Sequence, residues 1–263
     1  MDVWSLCALS ADELLLACGA AGLRALSLHT EQLAAHEPSA LSHVYSVAFD
    51  NHTDTLLLVL WSLAVGNYQL VSLRRNASEW PEVHRLKISL NVYQYVVMDV
   101  CDSRVLLGQL GGTVLYVDDV SANHSLHYAG NVTLPSAING VACTRRGNDT
   151  LVAFAHNSSV SLQRLASRPL RLEPLASVNL TAPWRLLFRG DLLLAADWNR
   201  DNVTQAIVSF RATDNALTER RVLRDAQNSV HVIGWTLAGE KLVVSQWNRT
   251  EETSGDLIVY DFA

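Results

Sequence analysis

The sequence predicts an all-β fold: a single six-bladed β-propeller whose last blade has three strands unless the sequence is trimmed. The first observation is a repeat, because a tight turn, an apolar strand, a loop and a second apolar strand recur six times. The copies lie roughly 40 to 50 residues apart, which is the period of a propeller blade. The second is composition, since 49% of residues are hydrophobic and the mean hydropathy is +0.12, as in strands covered on both faces. The copies are anchored at Leu14, Leu56, Val105, Leu151, Leu192 and Leu242.

Each copy lies inside a larger unit of four predicted strands. An innermost strand precedes the turn, a third strand follows the loop, and a more polar segment follows in five of the six copies, as at 83–89 and 217–223. Such a segment suits an outermost strand, where charge discourages association between sheets. The third strands are predicted at 23–28, 69–73, 113–117, 159–164, 206–211 and 256–261. The blades are predicted at 1–41, 42–90, 91–136, 137–181, 182–228 and 229–263, all in one domain.

The main alternative fold, a pair of stacked β-sandwiches, does not predict six alike units. The repeat resembles the broad superfamily of propellers whose blades lack strong signatures, such as six-bladed lactonase-like and NHL-type proteins and degenerate WD40-like proteins. The resemblance covers the whole chain at the level of architecture, and the Gly-His and Trp-Asp dipeptides of typical WD40 blades are absent. It implies the propeller fold, and no functional residue carries over from it.

Charge and hydropathy argue against two classes of partner. The formal net charge is −6, and the basic residues form isolated pairs such as Arg74-Arg75 and Arg145-Arg146. Because nucleic-acid binders show a basic stripe, we expect no nucleic-acid partner. No apolar run approaches the length that spans a bilayer, so we expect no membrane partner either.

A ligand-binding rim is predicted where the loops of one propeller face surround the central channel. Large hydrogen-bonding side chains begin the innermost strands, and tryptophans with polar neighbours occupy the loops between second and third strands. Tyr and Trp combine broad apolar faces with a polar tip, and Arg holds carboxylates or phosphates. The structural alternative is that these side chains pack between blades or form a shared turn. The predicted rim consists of Trp4, Tyr45, Tyr93 or Tyr95, Asn139, Trp184, His231, Trp61, Trp198, Asn199, Arg200, Trp247 and Arg249.

This rim predicts a non-catalytic recognition module that binds a protein, a peptide or a glycan. One alternative is a lactonase- or hydrolase-like enzyme that acts at the channel mouth. Another is an architectural subunit that pairs with a second chain through the open edge of the last blade. The oligomeric state is left open.

No catalytic residue, metal ligand set or cofactor is predicted. The nine histidines include no His-x-His or His-Glu-x-x-His pair of the kind that binds zinc. A calcium site needs roughly six to eight oxygen ligands, and the predicted rim is poor in acids. His231 beside Ser229 lacks a third, orienting group for nucleophilic catalysis. His124 and His127 are predicted to be solvated loop residues.

Two features bear on the compartment, and they disagree. Met1 is followed by Asp2, and Asp12 with Glu13 interrupts the first apolar run, so the sequence as written has no secretion signal and predicts a cytoplasmic protein. Yet it carries nine Asn-x-Ser/Thr sites, where chance gives about two or three, which indicates a secreted, N-glycosylated protein if a leader precedes it. Asn-rich propeller turns explain the same excess without any glycan. The cysteines are predicted to be free, buried apolar residues: Cys7, Cys18, Cys101 and Cys143.

Overall fold

A computed structural model describes the chain at residues 3–35, 41, 43–62, 66–75, 80–88, 96–109, 111–167, 169–199, 204–225, 230–248 and 253–261. These residues form 23 strands, and among them there is no helix long and apolar enough to cross a membrane. The strands pair in chain order into five four-stranded sheets and one three-stranded sheet. The fold is a six-bladed β-propeller whose last blade has three strands, which confirms the predicted fold class.

The strands follow one another in the predicted order within each blade. The first three blades contain β1 (Ser5–Ala8), β2 (Glu13–Ala17), β3 (Leu23–Ser27), β4 (Leu33–Ala35), β5 (Val44–Asp50), β6 (Thr55–Ser62), β7 (Asn67–Arg74), β8 (Glu82–Ile88), β9 (Val96–Cys101), β10 (Arg104–Gln109), β11 (Val114–Val120) and β12 (Leu126–Thr133). The last three contain β13 (Gly140–Arg146), β14 (Asp149–Ala155), β15 (Ser159–Ser167), β16 (Leu170–Asn179), β17 (Pro183–Arg189), β18 (Leu192–Asn199), β19 (Thr204–Ala212), β20 (Leu217–Asp225), β21 (Val230–Ala238), β22 (Lys241–Asn248) and β23 (Thr253–Asp261).

The predicted third strands correspond to β3, β7, β11, β15, β19 and β23, with ends within three residues of the predicted ones.

The chain packs as two compact units. The first consists of the described parts of Met1–Val96, Asp119–His127 and Val232–Ala263, and the second of those of Val97–Asp118 and Tyr128–His231. The blade boundaries and the single domain stay predictions.

In the first unit, the second strand of the first blade is buried on both faces. Leu14 and Leu16 of β2 pack in one cluster with Val243 of the last blade. Leu15, between them, packs in another cluster with Leu58 of the second blade. Since successive strand residues face opposite sides, a strand between two neighbouring blades needs an uninterrupted apolar run. Each leucine buried in this way contributes about 1.5–3 kcal/mol by leaving water.

The second unit repeats this arrangement in its fourth blade. Val152 and Phe154 of β14 pack with Val117 of the third blade. Ala153, between them, packs with Leu193 of the fifth blade. The same alternation thus explains why the second strands carry the most continuous apolar segments in the sequence.

The outermost strands of the second and fifth blades carry exposed charged side chains, as predicted, whereas β4 of the first blade is Leu-Ala-Ala and is not polar. In β8, Arg85 and Lys87 are exposed, and Arg85 forms an ion pair with Glu82 at 2.5 Å. In β20, Glu219 and Arg221 are exposed in the same way. Charged side chains at this position make a sheet edge a poor template for another strand.

A disulfide joins the innermost strands of the third and fourth blades. Cys101, at the end of β9, is bonded to Cys143 of β13, and their Cα atoms are 5.9 Å apart. The prediction of free cysteines is therefore wrong for this pair, whereas Cys7 and Cys18 are buried and not disulfide-bonded. The two bonded residues are 42 positions apart in sequence, so local spacing carries no sign of the bond.

Polar contacts reinforce the same junction. Asp99 Oδ2 accepts a hydrogen bond of 2.7 Å from the Cys143 backbone N–H. Arg145 Nη1 donates to Asp102 Oδ1 at 2.6 Å. Burial raises the pKa of Asp99 to about 6, although backbone hydrogen bonds from Cys143 and Val100 act in the opposite direction. The ionised Asp99 carboxylate is therefore held at a net cost in the folded protein.

Candidate functional site

Four aromatic side chains of the first and second blades form an unbroken series of ring contacts, which we term the aromatic run. The centroids of Trp4 and Tyr45 are 6.1 Å apart. Those of Tyr45 and Tyr68 are 6.0 Å apart at an interplanar angle of 84°. Those of Tyr68 and Trp61 are 5.1 Å apart at 72°. These separations and the edge-to-face angles are the favoured geometry of aromatic pairs.

Trp4 is positioned by the second strand of its own blade and by a glycine in the following turn. Its backbone N–H donates to Ala17 O at 2.9 Å, just before β1 begins. Gly19 adopts φ +56°, and a Cβ there would lie 2.8 Å from Trp4 Nε1. The glycine therefore supplies both a left-handed turn and the room that the indole occupies.

Tyr45 lies at a β-bulge at the start of the innermost strand of the second blade. Val44 pairs with Leu60 and Ser46 with Val59, so Tyr45 has no opposite residue in β6. A bulge of this kind redirects a side chain and is common beside binding sites. The bulge is anchored to the first blade, because Val44 and Gly19 exchange backbone hydrogen bonds of 2.8 and 3.0 Å.

Trp61 and Tyr68 face each other across the hairpin of β6 and β7, where they are direct register partners. Residues opposite each other in an antiparallel pair lie on the same face of the sheet, which explains the ring contact. Trp4, Tyr45 and Trp61 are half-buried, while Tyr68 is only 5% exposed. The run therefore presents three partly accessible rings that rest on a buried fourth.

In the second unit, Trp184 occupies the equivalent position to Tyr45. Pro183 pairs with Asp197 and Arg185 with Ala196, so Trp184 is the bulged residue of β17. Its backbone lies against the fourth blade, because a Cβ at Gly140 would come within 2.6 Å of Trp184 O. Bulges at the same point of two innermost strands were not foreseen from sequence.

Asn139 precedes β13 and is half-buried. Its backbone N–H donates to Ala155 O at 2.7 Å, and its Nδ2 donates to Asn157 Oδ1 at 3.2 Å. This places two amide side chains together where β13 begins and β14 ends. The pair offers hydrogen-bond donors and acceptors to a polar ligand.

Trp198 lies near the end of β18 and is half-buried. The strand end is fastened by Asp197, whose two carboxylate oxygens accept hydrogen bonds from Ala182 N at 2.8 Å and Thr181 N at 3.2 Å. Trp198 N donates to Ala182 O at 3.1 Å. Asp197 and Trp198 therefore hold the entry to β17 in place. The predicted loop position is wrong for Trp198, as it is for Trp61 and Trp247, because each lies in a second strand.

The other predicted rim residues are placed only in part. His231 lies in β21, Asn199 in β18 and Trp247 in β22, where the backbone alone is described. The predicted residues that lie outside the described part of the chain are Tyr93, Tyr95, Arg200 and Arg249.

Sequence reasoning missed Tyr68 and Gly19 as members of the site. Tyr68 lies in the third strand of its blade, and only the register with Trp61 shows that it joins the run. An aromatic residue seven positions after Trp61 in a predicted hairpin was the available signal. Gly19 carried no signal in sequence, since its role depends on where the Trp4 indole lies.

A serine–histidine contact in the fourth blade is structural. His156 Nδ1 lies 2.8 Å from Ser136 Oγ, and Nε2 lies 2.9 Å from Ser161 Oγ. The further contact of Nδ1, at 3.0 Å, is the backbone carbonyl of Ala137, where a catalytic triad has a carboxylate. His156 is only 6% exposed, so the network fastens the turn and the following strand.

His124 differs from the prediction, because it is half-buried and bound to the second blade. Its Nδ1 lies 2.7 Å from Thr55 Oγ1, and its carbonyl accepts a 2.6 Å hydrogen bond from Ser72 Oγ. The prediction of a solvated loop residue is therefore wrong for His124. His127 is exposed as predicted, but it lies in β12 and not in a loop. The described residues contain no group of three His, Cys, Asp or Glu that could hold a metal ion.

A small cleft lies where the fourth and fifth blades meet in the second unit. Its volume is about 90 Å³, whereas pockets for small molecules have roughly 300–1,000 Å³. Arg146, in its wall, forms ion pairs with Asp191 and, at 3.2 Å, with Asp214. The cleft is thus a space too small for a typical small-molecule ligand, beside an ion-pair network.

Comparisons with known proteins agree with the fold. No family model matches the sequence, and no curated protein matches it. A functionally unknown protein from Desulfotomaculum acetoxidans is similar in structure, with a TM-score of 0.67, 12% identity, and coverage of 98% of this chain and 88% of that chain. So is the PQQ-bound aldose sugar dehydrogenase from Streptomyces coelicolor, with a TM-score of 0.63, 11% identity, and coverage of 98% and 94%. The Cps50 (Swd1) β-propeller domain from Myceliophteria thermophila gives a TM-score of 0.58, 14% identity, and coverage of 99% and 84%.

Proposed function

We propose that this propeller is a non-catalytic recognition module, and that a protein, peptide or glycan packs against the aromatic run of its first and second blades. The observation that carries the proposal is the unbroken ring contact from Trp4 through Tyr45 and Tyr68 to Trp61. On the second unit, Asn139, Trp184 and Trp198 stay separate candidate contacts, and the proposal does not depend on them.

The rings of the aromatic run are held in place by their packing in the blades. Aromatic side chains dominate binding hot spots because they bury large apolar areas and lose little conformational freedom. The bulge at Tyr45 and the packing of Trp4 on Gly19 fix the rings before a partner arrives. Binding then requires little further ordering of side chains, which lowers its entropic cost.

The structural neighbours support the propeller fold, but they differ in function and so do not indicate the function of this chain. One is a sugar dehydrogenase and another is the β-propeller domain of Cps50 (Swd1). At 11% and 14% identity, their activities do not extend to this chain. The proposal therefore depends on the aromatic run.

The test is a binding screen with the full-length chain on a glycan array and on a displayed peptide library. Hits are then titrated by tryptophan fluorescence. Truncation of a hot-spot aromatic costs about 2 kcal/mol or more, so Trp4→Ala or Tyr45→Ala should weaken binding at least roughly 30-fold.

The matched control is Tyr128→Ala, because Tyr128 is 58% exposed on the outermost strand β12 and should leave binding unchanged. Near-ultraviolet circular dichroism verifies that each variant is folded. If folded Tyr45→Ala and Trp4→Ala bind every hit as the parent does, the aromatic run is not the binding surface.

The two alternatives are separated by other measurements on the same protein. Turnover of a lactone or ester panel, with metal content determined in parallel, would favour the enzyme. A concentration-dependent oligomer that disappears when a fourth strand is added to the last blade would favour the architectural subunit.

A further inference from the structure

We propose that this chain is an N-linked glycoprotein of an oxidising compartment, with oligosaccharides on the exposed Asn-x-Ser/Thr sites and a disulfide between Cys101 and Cys143. Six of the nine sites have described side chains, and all six asparagines are exposed. They are Asn51, Asn123, Asn131, Asn148, Asn157 and Asn179. Of the other three, Asn76 and Asn202 lie outside the described residues, and Asn248 ends β22 with its side chain not described.

The asparagines outside such sites are not uniformly exposed. Among those whose side chains are described, Asn67 and Asn139 are half-buried, and Asn215 is exposed in a turn. Exposure at every described site is what bulky, hydrophilic glycans require, since the folded blades must accommodate them.

The locations of the sites in the blades argue against turn composition as the full explanation. Asn51, Asn123, Asn148 and Asn157 are in turns, where Asn is favoured for conformational reasons. Asn131 of β12 and Asn179 of β16 lie instead on outermost strands, where strand propensity disfavours Asn. None of the six described asparagines lies on an innermost strand, so a glycan on any of them would project away from the inter-blade core.

The disulfide is a second and chemically independent observation. Cys101 and Cys143 are bonded across two blades, and such bonds persist in oxidising compartments but are rare in a reducing cytosol. The compartments that form structural disulfides in eukaryotes are also those in which N-glycans are added. Both features therefore point to passage through the secretory route.

Each modification has a defined donor or electron acceptor and a defined leaving group. In glycosylation, a polyprenyl-diphosphate-linked oligosaccharide transfers its anomeric carbon to Asn Nδ2. The carbon–oxygen bond to phosphate breaks, a carbon–nitrogen bond forms, and the amide loses one proton while the lipid diphosphate leaves. In disulfide formation, the two thiols lose two electrons and two protons to a disulfide of a thiol oxidoreductase.

The test uses the native protein, purified from its own cells, and has two readouts. Peptide N-glycosidase in ¹⁸O water converts each glycosylated Asn to ¹⁸O-labelled Asp, which peptide mass spectrometry locates. Separately, the protein is alkylated in denaturant without reductant, then reduced and alkylated with a second reagent. The internal controls are Asn215, which lies outside any glycosylation site, and Cys7 and Cys18, which are not disulfide-bonded.

We expect labelled aspartate at one or more of the six exposed sites and none at Asn215. We expect the first alkylating reagent on Cys7 and Cys18, and the second on Cys101 and Cys143. The proposal is overturned if all six asparagines are unlabelled, if Asn215 is labelled equally, or if all four cysteines take the first reagent. Neither readout measures ligand binding, so failure of this proposal can be distinguished from failure of the proposed recognition function.

Discussion

Removal of the Cys101–Cys143 disulfide should destabilise the protein by an amount that follows from its sequence separation. The bond closes a loop of 42 positions between β9 and β13. Under the loop-closure relation, cross-linking a loop of this size removes enough entropy from the unfolded chain to stabilise the folded state by about 4 kcal/mol. The double variant Cys101→Ala/Cys143→Ala should therefore lose about that much free energy of unfolding.

The assay is urea unfolding followed by tryptophan fluorescence, for the parent and the double variant, each with and without reductant. Reductant should lower the midpoint of the parent to that of the double variant and leave the variant unchanged. This comparison separates the cross-link from the loss of side-chain volume, because the reduced parent retains both sulfur atoms. A parent whose midpoint is the same in the oxidised and reduced states would refute the argument.

Three further predictions concern individual side chains. Since the pKa of Asp99 is raised to about 6 from 3.8, the parent should lose roughly 2–3 kcal/mol of stability between pH 4 and pH 7. That stability is fully present below pH 4 and is lost as pH rises through 6, and Asp99→Asn should not show the loss in urea titrations. Gly140→Ala places a Cβ 2.6 Å from Trp184 O and should destabilise by about 1–3 kcal/mol in the same assay. Arg146→Ala removes ion pairs to acids whose side chains are 69% and 68% exposed, so the loss should stay below about 1 kcal/mol and shrink in high salt.

Each of these has its own control. Asp102→Asn removes the carboxylate that pairs with Arg145 and should retain the parental loss of stability between pH 4 and pH 7; if Asp99→Asn retains it too, the assignment to Asp99 fails. Gly147→Ala has no atom within 4 Å of its Cβ but has φ +59°, so it should cost about 1 kcal/mol, through backbone strain alone. If Gly140→Ala lowers the free energy of unfolding by no more than Gly147→Ala does, the close approach of β13 and β17 does not exclude a side chain at position 140. If Arg146→Ala lowers the free energy of unfolding by more than about 2 kcal/mol, the expectation of a weak, solvent-screened ion-pair network is wrong.

Part of the candidate site was predictable from sequence, because the starts of equivalent strands recur in the repeat. Trp4 and Tyr45 were named from those positions and Trp61 from a predicted loop between second and third strands; Trp4 contacts Tyr45 directly, and Tyr68 joins Tyr45 to Trp61. Tyr68 was missed because its place in the aromatic run depends on the register of β6 and β7, which sets it opposite Trp61. The bulge at Tyr45 was missed for a similar reason, because a bulge is a property of two paired strands.

The amino-acid sequence by itself determined that the chain forms six β-sheets of successive strands, with buried second strands and, in the second and fifth blades, charged outermost strands. Apolar periodicity, turn residues and repeat length are local properties, and local properties specify which segments are strands. Only the tertiary structure decided that Cys101 meets Cys143, that His124 binds the second blade, and that Tyr68 joins two neighbouring aromatic rings. The residues in these contacts are brought together only when strands pair and blades pack. No local sequence pattern therefore predicts any one of these contacts.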